Sequence, residues 1–99
     1  MTDVALKDQE AKPEPIWIRP GSDVRGVAGL ITSSIHDNSR VTLRAIGAGA
    51  VNQALKGIIQ ARQQLASQGD DLVVRPGFAT VKGETGEPVT AIVLHCLLL

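Results

Sequence analysis

Hydrophobic and polar positions alternate along this chain in two rhythms, one of helical period and one of strand period, with short polar or glycine-rich turns between them. Ile16, Trp17 and Ile18 form a short apolar run closed by Arg19, Pro20 and Gly21, which predicts a strand followed by a turn. Ser22 stands where an N-cap accepts a bond from helix amides, and Asp23 suits the positive end of a helix. Val24, Val27, Ala28, Ile31 and Ile35 then recur at helical spacing. That helix is expected to end near His36, because Asp37, Asn38 and Ser39 favour local side chain to backbone bonds and Asn38 tolerates the left-handed conformation. From Arg40 to Ile46 the period drops to two, with Val41, Leu43 and Ala45 on one side and Arg40, Thr42 and Arg44 on the other. A Gly47-Ala48-Gly49 exit leads into a second helix with a predicted buried stripe of Val51, Ala54, Leu55, Ile58 and Leu65, ending before Gly69. Gly57 inside it costs about 1 kcal/mol against alanine, so close backbone packing is the expected reason for it. Residues 71–81 and 88–98 read as two strands joined by the polar loop 82–87.

The order βαβαββ predicts an α/β fold, a two-layer sandwich in which right-handed crossovers place both helices on one face of a mixed four-stranded sheet. In the last strand Val89, Ala91, Val93 and Leu97 point one way and Ile92, Leu94, Cys96 and Leu98 the other, so both faces are apolar while helices cover one. A second copy of the chain, forming a homodimer or larger homo-oligomer, is the expected cover; a fold-back of Leu97, Leu98 and Leu99 is the local alternative. Trp17 and Phe78 lie in apolar strand surroundings and are expected in the core, not on a platform for base stacking.

A length of 99 residues allows one domain. Residues 1–14 carry four acids against two lysines and few large apolar groups, and are expected to form a disordered acidic tail ahead of a domain at 15–99. The ten basic and ten acidic side chains cancel, which excludes a polycation; attraction to a polyanion has to come from local clustering. With the tail set aside, eight basic residues face six acidic ones. The single Cys96 excludes a disulfide scaffold, no signal peptide pattern is present, and the apolar run 89–99 is too short to cross a bilayer. A cytoplasmic protein that does not engage membranes is expected.

Strand, Gly47-Ala48-Gly49, helix resembles the start of a dinucleotide fingerprint, yet Asn52 replaces the third glycine and no second mononucleotide half follows. The glycines serve either a sharp turn or contact with the phosphates of a polymer. Parallel strands bring Arg19, Arg44 and the Gly47 to Asn52 turn to one rim, with Lys56 a turn further along the helix; Arg75 and Lys82 extend that surface if the hairpin projects past it. His36 and His95 lack partners for acid–base work, and His95 and Cys96 point to opposite faces, so neither a catalytic group, a metal site within one chain nor a cofactor is expected.

The runs VRGVAGLI, VTLRAIGAGAVNQALKGIIQAR, DLVVRPGFATV and EPVTAIVLHCL closely resemble the bacterial stage V sporulation protein S family, over about 80 of the 99 residues. The resemblance implies a small cytoplasmic protein with a fold similar to the archaeal chromatin protein Alba, a dimeric module that binds DNA and RNA. It implies basic residues after the first strand and before the second turn, which Arg19 and Arg44 match; the glycine turn here is less basic than that of Alba proteins, and the hairpin arm sets Lys82 against Glu84 and Glu87. The leading expectation is a non-enzymatic protein that holds the backbone of DNA or RNA with low sequence specificity through Arg19, Arg44, Gly47, Gly49, Asn52 and Lys56, joined by Arg75 and Lys82. A regulatory protein-interaction module without nucleic-acid binding is the alternative.

Overall fold

The computed structural model describes residues 14–99, so the acidic segment 1–13 lies outside the described residues. Six elements follow in the order expected: β1 (Ile16–Ile18), α1 (Val24–Asn38), β2 (Arg40–Ala45), α2 (Ala48–Ala66), β3 (Leu72–Lys82) and β4 (Pro88–Leu98). Strands β1 and β2 pair in parallel, β4 pairs antiparallel with β2 and with β3, and the sheet order is β1-β2-β4-β3. Strand β4 is therefore inserted between two strands of like direction, and both helices are crossovers between such strands. The described residues form a slab 19 Å thick in its thinnest direction, as one sheet layer and one helix layer require.

Both helices bury their apolar stripes against the same sheet face. Val27, Ala28, Ile31 and Ile35 of α1 and Ala54, Ile58, Ala61 and Leu65 of α2 share one core with Ile18, Val41, Leu43, Leu72, Leu94 and Cys96. Small residues on α2 let the helices approach closely. At Gly57 an added Cβ would lie 2.4 Å from Val27 Cγ1, which is the close packing its position in the sequence demanded.

Local chemistry shifts several boundaries. Asp23, not Ser22, caps α1: its Oδ2 accepts from the Gly26 amide at 2.8 Å, while Ser22 Oγ accepts from the Arg19 amide and closes the turn after β1. Helix α1 runs two residues beyond His36 and stops at Ser39, which takes the left-handed conformation at φ 66° and donates its amide to the Ile35 carbonyl. Leu55, predicted in the buried stripe, is exposed on the flank of α2 that faces β3, because Ala50, Ala54 and Ala61 take the inward side. Pro76 sits in the middle of β3, which is possible because β3 is an edge strand and one of its sides needs no amide donor.

The apolar patch expected on the helix-free face of β4 is only partly exposed, with Val89 and Leu97 half-buried. Ala91 and Val93 are 0% and 5% exposed; Val93 lies between Arg44 and Gly77, and Ala91 lies beside Ala79 of β3. Exposed apolar groups gather elsewhere. The β3–β4 hairpin runs past Ala45, the last residue of β2, and Phe78, level with Ala45 and Ile92 on the edge strand β3, is 81% exposed. Phe78 closes one wall of a groove of about 620 Å³ with Val51 and Leu55 of α2, over a floor of Ala45 and Ile92. Exposed Ile59 continues the flank one helical turn beyond Leu55.

The Cys96 thiol, wholly buried, is pushed up to about 12 by loss of hydration. The unfolded thiol ionises first as pH rises, so this group erodes stability between about pH 9 and about pH 12 and is silent below that window. Native protein should react with iodoacetamide far more slowly than urea-unfolded protein at mildly alkaline pH. Equal rates would show that the thiol is reachable in the folded state.

Candidate nucleic-acid interface

The strands segregate charge by sign. None of the four contains Asp or Glu, whereas β2 carries Arg40 and Arg44, β3 carries Arg75 and Lys82, and β4 carries His95. Acids stand at helix ends and in loops, and the one ion pair among the described residues joins Arg62 of α2 to Asp71, just before β3, at 3.8 Å.

Register decides which cations meet. Trp17, Arg44, Val93 and Gly77 lie in one row across the sheet, Thr42, His95 and Arg75 in the next, and Arg40, Leu97 and Val73 in a third. All these side chains project from the face without helices, since their neighbours Val41, Leu43, Leu94 and Cys96 fill the core on the other. Arg44 lies down on the sheet: its guanidinium carbon stands 5.9 Å from the centroid of the Trp17 ring, and its Nε is enclosed without a hydrogen-bond partner. Thr42 Oγ1 is 3.1 Å from His95 Nδ1, and Arg75 and His95 are both exposed. Trp17 is 46% exposed on this face; it and, on the opposite face, Phe78 are surface groups, because β1 and β3 are the edge strands of the sheet.

The rim is more divided than the sequence suggested. Arg19 follows β1 as expected, but it lines a cleft of about 330 Å³ together with Trp17, Ile46 and Glu84 from the hairpin turn, so an acid faces it. Gly47 takes φ 89° and begins α2 without any side-chain cap, and Gly49 packs on the Pro20 ring, where an added Cβ would stand 3.2 Å away. Gly47 and Asn52 line the apolar groove beneath Phe78, while Lys56 is exposed on the outward side of α2, one turn beyond Asn52. Lys82 reaches the projecting end of the hairpin; Arg75 does not, since it pairs with His95 in the body of the sheet. Glu87, beside Lys82, accepts from the Thr85 hydroxyl and amide, and the hydroxyl bond first of all holds its carboxyl below the usual range.

Arg44 thus joins Arg40, Arg75 and His95 on the sheet, Arg19 and Lys82 mark the rim, and Lys56 stands apart on the helix layer. Sequence reasoning missed Arg40, Thr42, Trp17 and His95 as members of a shared surface. No group of three or more His, Cys, Asp or Glu among the described residues is placed to hold a metal ion, and no helix among them is long and apolar enough to cross a membrane.

These features define a two-layer α/β protein whose uncovered sheet face is cationic. Its fold is similar to that of Alba from Thermoplasma volcanium, with a TM-score of 0.58 at 16% identity, covering 85% of this chain and 99% of that one. The family model of stage V sporulation protein S matches residues 14–98, and the chain belongs to that family.

Proposed function

We propose that this protein is a non-enzymatic, cytoplasmic nucleic-acid-binding protein that grips the sugar-phosphate backbone of DNA or RNA with low sequence specificity and acts in regulation. The observation that carries this reading is the charge segregation: the strands contain no acid, and Arg40, Arg44 and Arg75 share the face without helices in a chain of zero net charge. Such a surface attracts a polyanion locally where the whole molecule supplies no field. Arg19, Lys56 and, at the hairpin end, Lys82 add contacts beyond the sheet edge, while the Gly47 to Asn52 turn borders the groove under Phe78. The working unit is a homodimer, supported by the groove under Phe78 and by the dimeric character that resemblance to Alba implies.

Affinity measured over a salt series tests the reading. Binding should weaken linearly in log–log form as salt rises, and Arg40→Ala should reduce the magnitude of the slope by about 1 on any sequence. No binding of DNA or RNA at low salt would remove the reading and leave protein interaction in its place.

A further inference from the structure

Four observations on the helix-free face converge on one ligand chemistry. Trp17 offers an indole at the sheet edge, half exposed. The Arg44 guanidinium, a second planar group, stands over that ring, 5.9 Å from its centroid, with its Nε unpartnered. The same row continues over buried Val93 to Gly77, which has no side chain and open space above it, so the floor there is flat. Thr42, His95 and Arg75 line that floor along one side as hydrogen-bond donors and a fixed positive charge.

We infer that this face is a binding platform for single-stranded nucleic acid, in which an unstacked base is received on Trp17 and Arg44 and adjoining phosphates are held by Arg75 and Arg40. The inference rests on the nucleic-acid reading above and narrows it to a strand state and a surface. Aromatic rings and guanidinium planes receive bases that are free to splay out, whereas a duplex hides its base faces in the stack and presents only backbone and groove edges. Adjacent strands lie about 4.8 Å apart and residues on one face repeat about every 6.7 Å, so the aromatic group and three arginines fall within the reach of a few nucleotides. An acidic peptide would use the charges but would leave the indole and the flat lane without a role.

The chain has one tryptophan and no tyrosine, so its intrinsic emission reports Trp17 alone. The full chain is titrated with an oligouridylate and an oligothymidylate of about 15 nucleotides and with a duplex of equal length. Single strands should quench the emission and bind more tightly than the duplex. Trp17→Leu should weaken single-strand affinity about tenfold, Trp17→Phe should restore most of it, and Arg75→Gln should reduce the single-strand salt slope by somewhat less than one. Binding of nucleic acid with unchanged Trp17 emission, or undiminished single-strand affinity in folded Trp17→Leu, overturns the platform and leaves the backbone reading standing. Absence of binding to every oligonucleotide overturns both.

Discussion

Gly57→Val is expected to lower the unfolding free energy by about 3 kcal/mol, a large share of what a domain of this size possesses. Even a lone Cβ at this position would stand 2.4 Å from Val27 Cγ1 and 2.8 Å from Val27 Cβ, and the Ala28 backbone nitrogen follows at 3.6 Å. Val27 cannot swing aside, since its branched Cβ is stiff in a helix and the side chain is itself buried. The two helices must separate, and that opens the shared layer of Ala28, Ala54 and Ile58. Gly57→Ala is the milder form: its overpacking is opposed by about 1 kcal/mol of helix propensity, so the net loss is about 1 kcal/mol. Urea unfolding of Gly57→Ala, Val27→Ala and the double variant isolates the contact. The double variant should cost at least about 1 kcal/mol less than the sum of the singles. Strict additivity would place the strain somewhere other than between these two residues.

Phe78→Asp is expected to turn the proposed homodimer into a monomer without unfolding it. Phe78 is almost fully exposed, so the fold loses little when it changes, yet it forms the wall of the one groove where Leu55 and Val51 also reach the surface. A buried aromatic anchor at the centre of an interface contributes about 2 kcal/mol or more, which is about thirtyfold in Kd, and an aspartate there adds a desolvated charge. Light scattering should find twice the 10.4 kDa chain mass for the native protein and the chain mass for the variant. Leu94→Asp serves as contrast, since Leu94 is buried in the core and its substitution should unfold the chain instead. A wild type that stays monomeric at high micromolar concentration would refute the dimer.

The architecture was legible because its signals are local and periodic. Alternation at Val41, Leu43 and Ala45, helical spacing from Val24 to Ile35, and the glycine-flanked loops each name an element without knowledge of its neighbours. Leu55 escaped because helical period alone does not say how wide a buried stripe is; three alanines inward made room for it to remain outside. Trp17 and Phe78 escaped because hydrophobicity marks a residue as able to be buried, while edge position depends on sheet order. The arginines of the sheet face were partly within reach. A hairpin that closes with Lys82 opposite Pro88 carries Arg75 opposite His95, so that pair follows from the loop boundaries. The alignment of His95 with Thr42 and of Trp17 with Arg44 depends on pairing between distant segments, which one sequence without its fold does not disclose. The glycine turn was read for its backbone freedom, and only the fold distinguishes Gly47, which needs a positive φ, from Gly49, which needs clearance from Pro20.

Strand β3 leaves one long side open to water, and such a side is an invitation to fibre growth by strand addition from another molecule. Pro76 interrupts that invitation at its midpoint, because its ring withholds a donor and fouls an incoming backbone, and Arg75 beside it sets like charge against like in any self-template. Two copies that meet through the helix flank form a two-fold contact that consumes the same patch on both and closes on itself. In the proposed dimer, association then stops at two subunits, and binding to a nucleic-acid strand, as proposed, would not seed a filament of the protein itself.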